Sequence, residues 1–153
     1  MKNIFALLAA VFVLATGCCS KKKAAEAAAN NVSFEYETTT RGAYHKVIAK
    51  KDTLTFIDGR NRNITSKAVL AEAEWNQLTQ AYKTVKPEAM ADLKSPTTKR
   101  FYDGAAIATL TVVKEGNTFK SADFDNGFPP QEIKPLTDLI VALAAKYKKS
   151  DEN

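Results

Sequence analysis

The sequence predicts an α+β domain, an antiparallel sheet of five or six strands with two helices packed on one face. Three observations carry this. Apolar and polar residues alternate with period two from Val32 onward, short polar turns separate the strand segments, and two later stretches change to a spacing of three and four. With 153 residues, 45% of them hydrophobic and 25% charged, the chain has an ordinary globular composition and room for one core.

Val32, Phe34, Tyr36 and Thr38 alternate with Ser33, Glu35 and Glu37, the pattern of a half-buried strand. Arg41-Gly42 is a turn signal, and Ala43 to Lys50 gives a second strand with Tyr44, Val47 and Ile48. Lys51-Asp52 turns the chain again, and Leu54, Phe56 and Ile57 mark a third strand. Asp58-Gly59-Arg60-Asn61-Arg62-Asn63 is a polar loop with an Asp-Gly turn, followed by a short fourth strand over Ile64 to Val69. Over residues 71–85, Trp75, Leu78, Tyr82 and Val85 fall on one helical face, and Pro87 stops that helix. Residues 86–104 form a long connection with a short turn around Ala89–Leu93. Ala106 to Val113 reads as a strand, Glu115-Gly116-Asn117 turns it back, and Thr118 to Phe124 pairs with it as a hairpin. Ile133, Leu136, Leu139, Ile140, Leu143 and Tyr147 form the stripe of a last helix, with Pro135 at its start and Lys146, Lys148 and Lys149 at its end.

The N-terminus has a different character. Lys2 is followed by an apolar run from Ile4 to Leu14 and then by Ala15, Thr16 and Gly17, the layout of a secretory signal over residues 1–17. That run is too short to span a hydrocarbon core of about 30 Å. Leu14-Ala15-Thr16-Gly17-Cys18 resembles the lipobox of bacterial lipoproteins, with Ala15 standing where the family prefers Leu. The resemblance implies cleavage before Cys18 and attachment of a diacylglycerol to its sulfur. An ordinary secreted chain with a Cys18–Cys19 disulfide or free thiols is the alternative; adjacent cysteines rarely bridge. Residues 18–31 then make a lipidated cysteine and a tether without large apolar side chains. Lys21, Lys22 and Lys23 attract anionic headgroups or act as a solvated spacer. The domain is expected over 32–149, with a polar tail over 150–153.

The formal net charge is +5, and Lys2 with Lys21, Lys22 and Lys23 supplies four of those charges. The domain is therefore near balance, and nucleic acid is not an expected partner. One histidine and two cysteines leave few routes to catalysis. His45 has no nucleophile motif around it and reads as a surface or cross-strand residue. No cofactor motif is present, and no metal-ligand spacing of Cys or His occurs in the domain. Asp123 and Asp125 with Asn126 hint at hard-cation binding, but only D-x-D-N-G of the EF-hand order is there. The bland reading is an exposed strand end with a turn. Trp75 is expected in the core, from its helical spacing with Leu78 and Tyr82. Two polar loops remain as a candidate binding surface: Asp58, Arg60 and Arg62 in one, Arg100, Tyr102 and Asp103 in the other. Arginine and tyrosine often supply interface anchors, whereas Asp-Gly turns and Arg–Asp pairs also simply hold loops.

The signal, lipobox, strands, Trp-bearing helix, later hairpin and Pro-opened last helix resemble small bacterial envelope lipoproteins. The order from the hairpin Tyr102–Phe124 through Pro129-Pro130 to the Leu136/Leu139/Leu143 helix is remotely similar to emfourin-type inhibitors of metallopeptidases. The Gly-Gly segment expected early in those inhibitors is missing; only Arg41-Gly42 is present. The leading expectation is a lipid-anchored, non-enzymatic binding module of the cell envelope, held to the membrane by its N-terminal lipid, with an envelope protein as its partner. A metallopeptidase inhibitor is the alternative, and a hydrolase with an unrecognised acidic site the third. Cys19 at the second mature position, where inner-membrane retention uses Asp, points to the outer membrane.

Overall fold

The computed structural model describes residues 31–150; the expected signal, Cys18 lipidation and tether lie outside the described residues. The meander expected at the start is present as β1 (Val32–Thr39), β2 (Tyr44–Lys50), β3 (Thr53–Asp58) and β4 (Ile64–Val69). Then come α1 (Glu72–Tyr82), 3₁₀ helices Pro87–Asp92 and Lys99–Tyr102, β5 (Ile107–Lys114), β6 (Asn117–Lys120), β7 (Phe124–Asp125) and α2 (Lys134–Ser150). The strands build one antiparallel sheet of order β4-β3-β2-β1-β5-β6, with β7 pairing β5.

Register explains the alternation. Tyr36 stands opposite Val47 on β2 and Leu110 on β5, and Val47 stands opposite Phe56 on β3, so one row of apolar side chains shares a sheet face. Phe34, Leu54, Phe56, Leu110 and Val112 are almost fully buried and join Trp75, Leu78, Leu136 and Ile140 in one core. Phe34 is central: its ring lies 5.6 Å from Trp75 and 5.2 Å from Tyr82. Trp75 is thus a core residue, as its spacing predicted. Glu74 ties the two helices together, accepting from the Ala71 N–H, from Lys146 at 2.5 Å and from the Tyr147 hydroxyl at 2.6 Å.

Three details differ from the sequence reading. Among the described residues the strand count is seven, because the expected Thr118–Phe124 strand is two separate pieces. Pairing with β5 stops at Lys120. There Ser121 donates its N–H to Leu110 O and accepts from Leu110 N–H through its Oγ, while Ala122 N–H turns to Met90 O. The chain rejoins β5 only at Phe124 and Asp125, opposite Ala108 and Ile107. Helix α1 ends at Tyr82 rather than near Val85. Successive bonds from Lys83, Thr84 and Val85 N–H to carbonyls three residues back tighten its end and turn Val85 into the core. Asp125, expected at an exposed strand end, is fully buried.

Candidate functional site

Alternating strand direction places every second connection at the same end of the sheet. The β1–β2 turn, the β3–β4 turn and the segment entering β5 therefore meet at one end, while the chain enters at Val32 at the other. Two depressions open there. A groove of about 610 Å³ lies between the β1–β2 turn and residues 103–107, with Arg100 in its wall. A smaller one of about 200 Å³ is lined by Arg60, Arg62 and Tyr44 and shares Thr39, Thr40 and Arg41 with the first.

The connection before β5 is fastened from below by Asp125. Its Oδ2 accepts from Thr97 Oγ1 at 2.5 Å and from Lys99 N–H at 2.6 Å. Its Oδ1 accepts from Arg100 N–H and from Arg100 Nη1, both at 3.0 Å. Burial alone would raise this carboxyl's pKa; the Thr97 hydroxyl, the Arg100 backbone and guanidinium and the Lys99 N–H override it and hold it far below the usual carboxylate range. Arg100 also donates to Ser95 Oγ and Thr97 O. Asp125 thus has both oxygens occupied by protein donors, whereas Asp123 is exposed. Among the described residues no group of three His, Cys, Asp or Glu could hold a metal ion.

The predicted loops come together at this end, but their six residues do different things. Arg100 is committed to Asp125. Asp58 faces His45 on the neighbouring strand, with Nδ1 at 2.7 Å, and Lys148 of α2, with Nζ at 2.9 Å. Burial works against the Asp58 charge, and the Lys148 and His45 contacts outweigh it, so its pKa is lowered. His45 is accordingly a cross-strand residue. Arg60 donates from Nη2 to the Arg41 carbonyl at 3.2 Å, and the Arg62 guanidinium lies 4.2 Å over the Tyr44 ring. Asp103 sits 3.5 Å from Arg41 in an exposed ion pair. Tyr102 is 69% exposed, and its ring lies over Gly104, where an added Cβ would come within 3.1 Å of it.

Sequence reasoning missed Arg41, Tyr44, Phe101 and Phe128. Arg41 read only as a turn residue, yet it borders both depressions. Tyr44 read as a strand position; burial and its hydrogen bond to Glu37 push its hydroxyl up to about 12, and its face carries Arg62. Phe101 is 74% and Phe128 40% exposed, each beneath a cation, Arg100 at 4.3 Å and Lys99 at 3.9 Å. Antiparallel strand alternation was the one available signal, because it brings the first and third turns together.

No family model matches the chain, and no curated protein matches it. Among the described residues no helix is long and apolar enough to cross a membrane.

Proposed function

We propose that the protein is a lipid-anchored, non-enzymatic binding module of the bacterial cell envelope that engages its ligand or partner at the arginine-bearing end of its sheet. The observation that carries this is the meeting of three sequence-distant connections at one end of the sheet: the 610 Å³ groove lies between the β1–β2 turn and the segment entering β5, the smaller depression lies between the β1–β2 and β3–β4 turns, exposed Arg41 borders both, and exposed Phe101 and Tyr102 follow Arg100 in the chain. Exposed aromatics beside arginines are the usual composition of recognition surfaces. The position of that end also suits an anchored protein. β1 has eight residues, so Thr39 lies about 24 Å from Val32 at roughly 3.4 Å per step. A chain tethered before Val32 has its groove at the far end of the sheet.

The test is in-cell photo-cross-linking of the full-length protein with the reactive side chain at position 102, and in parallel at Lys67 on β4. Capture of one species from position 102 and not from 67 supports the reading. Equal capture from both positions, or none, overturns it. A captured metallopeptidase would identify the inhibitor alternative, and substrate turnover lost in Asp103→Ala with the fold intact would replace binding by catalysis. Lipidation is tested separately: Cys18→Ser should abolish acyl incorporation, and outer-membrane residence is tested by fractionation, an inner-membrane-only result refuting it.

A further inference from the structure

We infer that Arg41, Arg60 and Arg62 hold a phosphate group, inorganic or as a monoester, in the smaller depression; this specifies the ligand class of the proposed binding end and rests on that reading. The chain holds its arginines in two different ways. Arg100, which holds the fold, has a buried carboxylate and a side chain only 12% exposed. Arg60 and Arg62 are held without one. Among the described residues neither has a carboxylate partner; Arg62 is steadied by the Tyr44 ring at 4.2 Å and Arg60 by the Arg41 carbonyl at 3.2 Å. A ring face and a carbonyl oxygen fix the direction of a guanidinium while leaving its positive charge uncompensated.

The third arginine is only loosely neutralised. Arg41 meets Asp103 at 3.5 Å with both side chains largely exposed, an arrangement worth little in water. An incoming dianion competes with Asp103 for it. The three arginines line one depression of about 200 Å³. Each is a planar fork of N–H donors, and a fork is satisfied by two oxygens. A carboxylate has two oxygens and one charge, enough for one fork. A phosphate monoester has three terminal oxygens and close to two charges at neutral pH, and can bridge forks arriving from two turns. Thr39 and Thr40 line the same depression.

A phosphate comes to an envelope protein either on a lipid headgroup or on a soluble molecule, and the chemistry at the arginines is the same. The experiment is titration calorimetry of the full-length chain in neutral detergent with inorganic phosphate, with dihexanoyl phosphatidic acid below its micelle concentration, and with acetate at matched ionic strength. The expected result is saturable binding of both phosphates and none of acetate. Arg60→Ala/Arg62→Ala is expected to weaken phosphate binding at least tenfold with an unchanged circular dichroism spectrum, while Lys67→Ala leaves it unaltered. Phosphatidic acid binding ten times tighter than inorganic phosphate assigns the lipid source, and equal affinity the soluble one. Acetate binding as well as phosphate, or phosphate binding that survives the double substitution, overturns the inference. If both phosphates fail to bind while position 102 still captures a partner, the phosphate assignment falls and the binding end stands; if capture fails too, both fall.

Discussion

Asp125 and Arg100, on β7 and in the second 3₁₀ helix, share a single carboxylate oxygen: Oδ1 accepts from both the backbone N–H and the Nη1 of Arg100 at 3.0 Å. The buried carboxylate therefore organises a surface connection without touching solvent. Asp125→Ala should remove the acceptor for four donors at once. Breaking a buried pair from one side costs on the order of 3 kcal/mol, so the melting temperature should fall by about 12 °C. Arg100→Ala should cost less, because Thr97 and the two backbone N–H groups still serve the carboxylate. Thermal melts of both variants check this order, and equal losses would contradict it.

The same carboxylate sets an acid limit. Its folded-state pKa lies far below its ordinary value of 3.8. A depressed folded-state pKa contributes stability at pH values above the unfolded one, and that contribution drains away as the pH falls toward the folded one. The Asp125 contribution should thus be constant above about pH 5 and shrink progressively below pH 4. Urea melts of wild type and Asp125→Asn across pH 2–7 should show a gap that is widest at neutral pH and narrows in acid. A gap that widens on acidification would refute the assignment.

At the alkaline end, Tyr36 and Tyr44 are both shifted in the direction opposite to Asp125. Burial, the dominant cause for both, pushes each hydroxyl up to about 12, with Glu37 adding to the shift at Tyr44. A raised folded-state pKa contributes stability that is complete below the unfolded value near 10 and is lost as pH climbs toward 12. Ultraviolet titration should show part of the tyrosinate absorbance appearing only above pH 11. Tyr44→Phe should remove one tyrosine from that late phase and leave the phase from Tyr36.

The core was open to reading from the sequence because burial of one sheet face forces period two and burial of one helix stripe forces three-and-four spacing. Phe34, Trp75, Leu78 and Ile140 all obey that rule. Asp125 escaped it. Its burial is tolerable only because Thr97, Lys99 and Arg100 supply donors from a connection about 25 residues earlier, and no local pattern reports such a partner. The same holds for the split of the last strand, which follows from Ser121 bonding to Leu110 and Ala122 turning to Met90. At the candidate site the residue types in the two loops were visible. Their division into Arg100 and Asp58, held by the fold, and Arg60 and Arg62, left charged, was not, since it depends on which carboxylates lie across the sheet and on α2.

Arg62 offers a way to separate charge from backbone strain at the proposed phosphate site. It closes the β3–β4 turn at φ 55°, in the left-handed region where a side chain costs about 1 kcal/mol and glycine costs nothing. Its stacking on Tyr44 returns about 0.5–1 kcal/mol. Arg62→Ala keeps the strain and loses the stacking, so it should be less stable than wild type by about that stacking energy. Arg62→Gly also loses the stacking but sheds the strain, partly offset by about 0.4–1 kcal/mol of added freedom in its unfolded chain. It should therefore lie between wild type and about 1 kcal/mol below it, and be more stable than Arg62→Ala by up to about 0.6 kcal/mol. Both variants lack the guanidinium and should lose phosphate binding to the same extent. Chemical denaturation together with phosphate titration checks the pair. A glycine variant that melts like wild type yet binds phosphate as well would show that the guanidinium at this turn has no part in binding. Equal loss of binding from two variants of unequal stability would place the effect on the charge alone.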